Sequence, residues 1–428
     1  MNDSSAGDAR AAGAPQGKTA GLDLSKIKTI DGVAVAGKRV LVRVDFNVPI
    51  EGGEVADATR IERVLPTIAK LAREGAKVVV LSHLGRPKGV ANPETSLRPV
   101  AEKMKELMPG ASVRFIGDCI GEEVKRGLAA LKPGEVAVLE NLRFYPGEEK
   151  NDPVFAKALS VHGDLYVDDA FSSAHRANAS VDAITNLLPS YAGLLMMAEI
   201  GALGRALEAP ARPVMAIVGG AKVSTKIEVL NHLVDRMDQL VVGGGMANTF
   251  LAAQGVEVGR SFCERDLVRT VEEIIIRAAR SGCGIVLPTD VVVADALKEG
   301  ADARVCPVGE VPEDAMILDF GPESVADLKR RLAYIKTVLW NGPLGAFETK
   351  PFDEGTFALA REVAKLTKAG KLVSVAGGGD TVRALNEAGA ADDLSYVSTA
   401  GGAFLEWLGG AALPGVAALA RAGARACC

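Results

Sequence analysis

The sequence predicts an α/β protein made of two doubly wound parallel sheets, and three observations lead to this prediction. The chain has 428 residues, whereas a single hydrophobic core rarely serves more than ~250–300 residues. Short apolar runs alternate with stretches of helical periodicity along both halves, which is typical of parallel strands covered by helices on both faces. A stretch rich in Pro and Ala at 204–213 separates the two series.

The first series starts with the apolar run RVLVRVDF at 39–46, which predicts a strand. Residues 59–74 follow, with Ile61, Val64 and Ile68 at helical spacing, and predict a helix. The same patterns predict a second helix at 97–108 and further strands at 77–82, 112–116, 135–140 and 164–169.

The second series repeats this alternation. Its predicted strands lie at 213–218, 239–243, 284–288, 315–320, 337–341 and 371–376, and its predicted helices at 225–234, 246–254, 265–281, 322–334, 353–368 and 381–388. We therefore predict a flexible extension at 1–21, an N-terminal domain at 22–195, a connecting helix and hinge at 196–212, a C-terminal domain at 213–405, and a C-terminal segment at 406–428.

Composition excludes several classes of protein. The net charge is −5, so the basic excess of a general nucleic-acid-binding surface is missing. No apolar run reaches the ~18–20 residues of a membrane helix, and residues 1–20 lack the apolar segment of a secretory signal. The six cysteines form no C-x-x-C pair and no zinc-type cluster, which favours reduced thiols and a cytoplasmic protein.

Polar and basic side chains follow the predicted strands of the first half. Because ligands of parallel sheets bind beyond the carboxyl ends of the strands, these side chains are candidates for a binding site. A metabolite with a phosphate and a carboxylate needs several converging cations, preferably forked guanidinium groups. The candidates are Arg60, His83, Arg86, Arg143 and Arg176, with Asp45 and Asn47 for a hydroxyl group. Each arginine alone is more often part of a surface ion pair.

Glycines take the corresponding positions in the second half. Gly377-Gly378-Gly379-Asp380-Thr381 follows a predicted strand and opens a predicted helix, and a helix N-terminus behind bare glycines binds anions. Asp380 is a candidate ligand for Mg²⁺ and a candidate N-cap of the helix. Gly219-Gly220-Ala221-Lys222 has the same form. Lys222 and Lys226 are four residues apart and are predicted to share one helix face.

Eight ordered motifs resemble those of the phosphoglycerate kinase family. They are VRVDFNVP at 42–49, SHLGRP at 82–87, ENLRF at 140–144, AHRA at 174–177, GGAKVSTK at 219–226, GGGMANTF at 243–250, LWNGPLGAFE at 339–348 and GGGDT at 377–381. The resemblance extends from about residue 24 to about residue 419. It implies two Rossmann-like domains joined by a hinge helix, in a hinge-bending monomer whose C-terminal segment at 406–428 returns to the N-terminal domain. It also implies reversible transfer of the ATP γ-phosphoryl group, with Mg²⁺, to the carboxylate of 3-phosphoglycerate.

The resemblance also implies roles for single residues. The phosphoglycerate site corresponds here to Asp45, Asn47, Arg60, His83, Leu84, Gly85, Arg86, Arg143 and Arg176. The nucleotide site corresponds to Lys226, Asn341, Glu348, Gly378, Gly379, Asp380 and Thr381, with Asp380 at the metal. The groups that assist transfer correspond to Arg60, Lys222, Gly378 and Gly401.

The chain departs from the family pattern at a few positions. Ala400 stands where a first glycine is usual, and we expect its methyl group to crowd the turn before Gly401. Asn178 stands where many members have a histidine, and Thr381 keeps the hydroxyl group of a common serine. Two alternatives remain at this stage: a nucleotide-binding protein of the same fold without catalysis, and an ATP hydrolase or a kinase for another carboxylate.

Overall fold

The computed structural model describes residues 22–425, so the extension predicted at 1–21 and the pair Cys427-Cys428 lie outside the described residues. The chain divides into two compact units. Unit 1 runs to Ala198 and includes the chain again from Gly410, and unit 2 is Glu199–Gly409. No helix within residues 22–425 is long and apolar enough to cross a bilayer.

Unit 1 is built on one six-stranded sheet and a short hairpin. Its strands are β1 (Arg39–Arg43), β2 (Ile50–Glu51), β3 (Glu54–Val55), β4 (Lys77–Leu81), β5 (Val113–Ile116), β6 (Val136–Leu139), β7 (Leu165–Asp168) and β8 (Ser190–Ala192). The sheet has the order β5-β6-β4-β1-β7-β8, and all of its pairs are parallel. The hairpin pairs β2 with β3.

Helices cover both faces of this sheet. They are α1 (Thr59–Arg73), α2 (Arg98–Leu107), α3 (Glu122–Ala129), α4 (Pro146–Glu149) and α5 (Pro153–Ser160). Val40 and Val42 pack on the side of α1 and α2, whereas Leu41 between them packs on the side of α3 and α5. This alternation is the period of two of a strand, and burial of both faces explains why β1 reads as a continuous apolar run.

Helix α6 (Leu194–Leu207) begins in unit 1 and ends in unit 2. The strands of unit 2 are β9 (Val214–Gly219), β10 (Gln239–Gly243), β11 (Gly284–Val286), β12 (Asp290–Ala294), β13 (Arg304–Pro307), β14 (Met316–Phe320), β15 (Thr337–Asn341), β16 (Val373–Gly377) and β17 (Tyr396–Ser398). A six-stranded sheet has the order β11-β10-β9-β15-β16-β17, again all parallel.

The helices of unit 2 are α7 (Ile227–Val234), α8 (Gly245–Ala253), α9 (Val268–Ser281), α10 (Pro322–Leu332), α11 (Glu354–Lys368), α12 (Gly379–Glu387) and α13 (Gly401–Leu408). The last helix, α14 (Pro414–Arg425), belongs to unit 1. There the N–H of Gly415 donates to the carbonyl of Ala174 in the segment after β7.

The predicted fold class, two α/β domains with doubly wound parallel sheets, is confirmed. One detail was wrong: the strand predicted at 315–320 exists as β14, but it pairs antiparallel with β12 in a separate sheet of order β13-β12-β14. The prediction missed β2, β3, β8 and β17, because two or three residues give too short a pattern for periodicity to detect. It also missed β12 and β13.

Each parallel sheet reverses its winding direction at one point. In unit 1 the chain moves outward from β1 through β4 and then returns to β7 on the other side of β1. In unit 2 it moves outward from β9 through β10 and then returns to β15. Crevices form at the carboxyl ends of strands where the order reverses, and ligands of such sheets bind there.

Candidate active site

The crevice of unit 1 is centred on Asp45, two residues beyond the end of β1. Arg60, in the first turn of α1, donates from one terminal nitrogen to Asp45 Oδ2 at 3.0 Å and to the carbonyl of Asn47 at 3.1 Å. Ser172, in the turn after β7, donates its hydroxyl to the same carboxylate. The reversal between β1 and β7 therefore brings together side chains more than 100 positions apart.

Asp45 is ionised at neutral pH. Burial opposes this, but the interactions with His83 and Arg60 and the hydrogen bonds from Ser172 and from the N–H of Asn47 outweigh it and lower the pKa of Asp45 to about 2. Burial also lowers the pKa of His83 to about 3, so His83 is neutral at pH 7. Arg60 is then the neighbouring cation that keeps Asp45 charged under those conditions.

The loop after β4 forms one wall of this crevice. His83 Nε2 lies 3.9 Å from Asp45 Oδ1, and the N–H of Gly85 donates to Asn47 Oδ1 at 2.8 Å. Arg143, in the turn after β6, donates to the carbonyl of Gly85 at 2.7 Å. Three strand ends are thus joined by hydrogen bonds.

The other predicted residues of this site lie in the same loops. Leu84 is buried beside His83, and Arg86 extends from the loop with an exposed side chain. Arg176 donates from Nε to His175 at 3.2 Å. Burial lowers the pKa of Arg143, and the positive charge of Arg176 lowers it further, so the two guanidinium groups are electrostatic neighbours.

Sequence reasoning missed Arg43 at the end of β1. Its side chain is fully buried, and it donates to the carbonyl of Val44, to Ser180 and to His83. The available signal was a single charged residue within the apolar run VLVRV at 40–44. In a strand buried on both faces, such a residue needs internal partners.

The crevice of unit 2 is centred on Lys226. Its ammonium group donates to the carbonyl of Gly219 at 2.5 Å, to the carbonyl of Asn341 at 3.1 Å and to Asn341 Oδ1 at 2.6 Å. These acceptors lie at the ends of β9 and β15, which is where the winding reverses. Burial lowers the pKa of Lys226 to about 8, and the negative charge of Asp380 acts in the opposite direction.

The segment Gly377 to Thr381 forms the second side of this crevice. Gly378 has φ 101° and is the N-cap of α12, a conformation that favours glycine. Asn341 Nδ2 donates to the carbonyl of Gly377 at 2.7 Å, and the N–H of Gly342 donates to Thr381 Oγ1 at 2.7 Å. Because Gly378 takes the N-cap position, the N-cap predicted for Asp380 is wrong. The Asp380 side chain is exposed in the first turn of α12.

A cavity of about 290 Å³ opens at these strand ends. Its lining includes the backbone of Gly220 and Gly244, the side chains of Glu348 and Asp380, and an apolar wall formed by Met316, Leu318, Pro343 and Phe347. Glu348 is exposed and accepts from Arg383 at 2.7 Å. No local sequence pattern predicts the apolar wall, because its members come from β14 and from the segment after β15.

Two further predicted site residues, Lys222 and Gly401, belong to unit 2. Lys222 is exposed and directly precedes the 3₁₀ turn Val223–Thr225, whereas Lys226 directly precedes α7. The prediction that both lysines share a helix face is therefore wrong. Gly401 is the first residue of α13, after Ala400 with φ −98°. That φ is ordinary for alanine, so the backbone at position 400 does not require glycine; the expected crowding of the turn by the methyl group stays a prediction.

The two crevices differ in chemistry. Unit 1 groups cations around one buried carboxylate, which suits a small anion with a hydroxyl group. Unit 2 presents a helix N-terminus, glycine N–H groups and a half-apolar cavity, which suits the phosphates and base of a nucleotide. Among the described residues no three His, Cys, Asp or Glu side chains are grouped as metal ligands. A Mg²⁺ ion held by phosphates and one carboxylate does not need such a group.

Comparison with known proteins gives consistent results. A family model described as Phosphoglycerate kinase matches residues 30–411. The phosphoglycerate kinase of Methylorubrum extorquens (strain PA1) is 57% identical over 397 residues, 92% of this chain and 99% of that protein. The one of Cereibacter sphaeroides (strain ATCC 17025) is 58% identical over 392 residues, 92% of this chain and 99% of that protein.

Solved structures are similar along nearly the whole chain. The phosphoglycerate kinase from Coxiella burnetii superposes with a TM-score of 0.86 and 42% identity, covering 93% of this chain and all of that one. The enzyme from Pyrococcus horikoshii gives a TM-score of 0.79 and 30% identity over the same 93% of this chain. With two parallel-sheet units, eight ordered motifs and these relatives, the chain belongs to the phosphoglycerate kinase family.

Proposed function

We propose that this protein is a phosphotransferase that moves the γ-phosphoryl group of ATP to the carboxylate of 3-phosphoglycerate. The products are 1,3-bisphosphoglycerate and ADP, and in glycolysis the reaction runs in the ATP-forming direction. The observation that carries the proposal is the coexistence of both crevices in a member of this family: a cationic one in unit 1 and a phosphate-cradling one in unit 2.

The crevice of unit 1 would bind 3-phosphoglycerate, the acid substrate. Several cationic or neutral donors converge there with one fixed acceptor, Asp45. We assign the phosphate and carboxylate groups of the acid substrate to Arg60, His83, Arg86, Arg143 and Arg176, with Leu84 and Gly85 in the loop between them. The hydroxyl group would contact Asp45 and Asn47, whose orientation is held by hydrogen bonds from Arg60 and Gly85.

The crevice of unit 2 would bind the nucleotide. We place its phosphates at the N-terminus of α12, formed by Gly378, Gly379 and Thr381, because the N–H groups of a helix start attract anions. Glu348 is at the rim of the cavity, where it would contact the ribose. Lys226 and Asn341 join the ends of β9, β15 and β16 by hydrogen bonds.

Asp380 would hold Mg²⁺ together with the phosphates. Its exposed carboxylate in the first turn of α12 lines the cavity, so the donor set fits a hard cation that takes one carboxylate. When bound, Mg²⁺ would neutralise phosphate charge. The remaining charge would be met by Arg60, Lys222 and the N–H groups of Gly378 and Gly401.

The nucleophile in this reaction is already ionised near neutral pH, so no general base is required. Catalysis then depends on position and on stabilising the charge of a metaphosphate-like group. The hinge at 196–212, the monomeric state and the cytoplasmic location remain predictions.

One assay tests the proposal against its alternatives. Purified protein is incubated with ATP, Mg²⁺ and 3-phosphoglycerate, and ADP release is followed by a coupled enzyme. We expect turnover only when 3-phosphoglycerate is present. ADP release without the acid would indicate a hydrolase, turnover with another carboxylate alone would indicate a different kinase, and ATP binding without turnover would indicate a binding protein.

A further inference from the structure

A line of buried side chains connects helix α4 to the crevice of unit 1. Glu148 in α4, Ser180 and Arg43 are fully buried, and His83 is 5% exposed. Ser180 donates its hydroxyl to Glu148 Oε1 at 2.6 Å and its N–H to Oε2 at 3.0 Å. Arg43 Nε donates to Ser180 Oγ at 2.9 Å, and a terminal nitrogen of Arg43 lies 3.1 Å from His83 Nδ1.

The direction of each hydrogen bond along this line is fixed. A guanidinium group can only donate, so His83 Nδ1 must accept from Arg43 and carry no proton. The ring of neutral His83 therefore holds its proton on Nε2. Nε2 lies 3.9 Å from Asp45 Oδ1, which is too long for a hydrogen bond, so this N–H is available to a ligand in the crevice.

Ser180 and Glu148 determine the orientation of the Arg43 side chain. A hydroxyl has one proton, and Ser180 gives it to Glu148, so a lone pair of Ser180 Oγ is left for Arg43 Nε. The guanidinium group of Arg43 also donates to the carbonyl of Val44. With all three nitrogen atoms engaged, the guanidinium plane is held in the position that delivers a donor to His83.

Burial and the nearby positive charges of Arg43 and Arg143 keep His83 uncharged, since they lower its pKa to about 3. A neutral imidazole can have its proton on either nitrogen. Without a donor at Nδ1 nothing selects Nε2, and the Nδ1–H tautomer would present a lone pair to an anionic ligand. The tautomer thus decides whether His83 attracts or repels that ligand.

We propose that Glu148, Ser180 and Arg43 are positioning residues that hold His83 as an Nε2–H donor to the acid substrate. The proposal rests on the assignment of 3-phosphoglycerate to unit 1. Glu148 and Ser180 act on the substrate only through Arg43 and His83.

The first test needs no substrate. The chain has four histidines, and ¹⁵N–¹H correlation spectra separate the two neutral tautomers of each ring, with His83 assigned from the spectrum of His83→Ala. We expect wild-type His83 to be an Nε2–H tautomer and Ser180→Ala to contain a mixture. A wild-type ring protonated on Nδ1 would overturn the proposal, whatever the variant does.

The second test is kinetic. We expect Ser180→Ala and Glu148→Gln to raise KM for 3-phosphoglycerate about tenfold, roughly the worth of one hydrogen bond to a charged group, with KM for ATP unchanged. Ser160→Ala is the matched control, because Ser160 is also buried in unit 1 but donates only to a backbone carbonyl in α5.

A double-variant comparison separates positioning from a general structural effect. In a His83→Ala background, Ser180→Ala should raise KM for 3-phosphoglycerate no further, because its effect passes through His83. An equal rise in both backgrounds, or a Ser180→Ala variant that matches Ser160→Ala, would overturn the proposal. If wild-type protein showed no turnover with 3-phosphoglycerate, the proposed function would fail while the tautomer spectra still decided the network.

Discussion

At the scale of single residues, Arg60 is hydrogen-bonded on one side and open to the crevice of unit 1 on the other. It is the second residue of α1, and one nitrogen is shared between the Asp45 carboxylate and the carbonyl of Asn47. The Arg60 side chain as a whole is 35% exposed. An arginine held on one side and open on the other can contact a transferring group without rearrangement.

We expect Arg60→Ala to lower kcat by about 10³–10⁵-fold, following the range observed when an arginine that stabilises a transferring phosphoryl group is lost. Steady-state kinetics with both substrates varied would measure the effect. Arg73→Ala is the matched control, since Arg73 lies exposed at the end of the same helix. A variant that keeps half of the wild-type kcat would remove Arg60 from the chemistry.

Arg143→Ala should behave differently from Arg60→Ala. The Arg143 guanidinium is largely buried and braces the carbonyl of Gly85, so its loss should mainly raise KM for 3-phosphoglycerate. Lys222→Ala should resemble Arg60→Ala, because Lys222 is exposed and has been assigned to the transferring group. Equal kcat losses in Arg143→Ala and Lys222→Ala would contradict this division.

Asp168 predicts how the stability of unit 1 depends on pH. Burial raises its pKa to about 7, although the N–H of Ala170 and the charge of Arg43 favour ionisation. Below pH ~4 the carboxyl is protonated in both folded and unfolded chains. Between pH ~4 and about 7 only the unfolded chain releases the proton, so this contribution to the free energy of unfolding is lost as pH rises.

Asp168→Asn should remove this dependence on pH. The free energy of unfolding of the variant, minus that of wild type, should therefore increase from pH 4 to pH 7 and stay constant above. Urea unfolding at a series of pH values would measure it, with Asp31→Asn, at an exposed position of the same unit, as the control. A difference that does not change with pH would contradict the expectation.

At the scale of elements, the backbone that follows β15 lies directly against the end of β9. A Cβ atom on Gly219 would be 1.8 Å from the carbonyl oxygen of Pro343, so only glycine fits there. This approach lets Lys226 reach acceptors on both strand ends. The glycine after β9 therefore has a packing role in addition to any contact with phosphate.

Gly219→Ala should destabilise unit 2 by more than about 4 kcal/mol, the upper end of the range for single substitutions, because a backbone atom must move. Both tryptophans, Trp340 and Trp407, lie in unit 2, so the fluorescence midpoint in urea reports on it. Gly309→Ala is the control, since a Cβ there meets nothing within 4 Å. Equal midpoints for the two variants would refute this.

Helices show how far local patterns extend. The predicted helix at 59–74 is α1 (Thr59–Arg73), and the one at 322–334 is α10 (Pro322–Leu332). Both have strong amphipathic periodicity and ends marked by proline or charge. Helix α4 (Pro146–Glu149) was missed because four residues carry no period, yet it supplies the buried Glu148.

At the scale of the whole molecule, each unit has its own core and its own crevice. A ligand that binds one folded unit stabilises that unit by mass action, and loops near the ligand should respond most in amide hydrogen exchange. We expect 3-phosphoglycerate to slow exchange at 45–47 and 83–86, and Mg²⁺ with ADP to slow exchange at 219–226 and 377–381. Protection of unit 2 alone by 3-phosphoglycerate would contradict the assignment of the crevices.

The sequence by itself determined the alternation of strands and helices, the order of the motifs and the residues that follow each strand. These are local properties, because periodicity and strand ends are read within windows of about 10–20 residues. The candidate residues Asp45, His83 and Arg143 could be selected in this way, since each stands just beyond an apolar run.

Only the tertiary structure decided which strand ends meet. Strand order placed Ser172 against Asp45 and Lys226 between Gly219 and Asn341, and it gave Arg43 its partners and β14 its antiparallel sheet. These contacts join residues up to 137 positions apart. Their energy arises from burial and pairing between distant segments, which no local window of sequence contains.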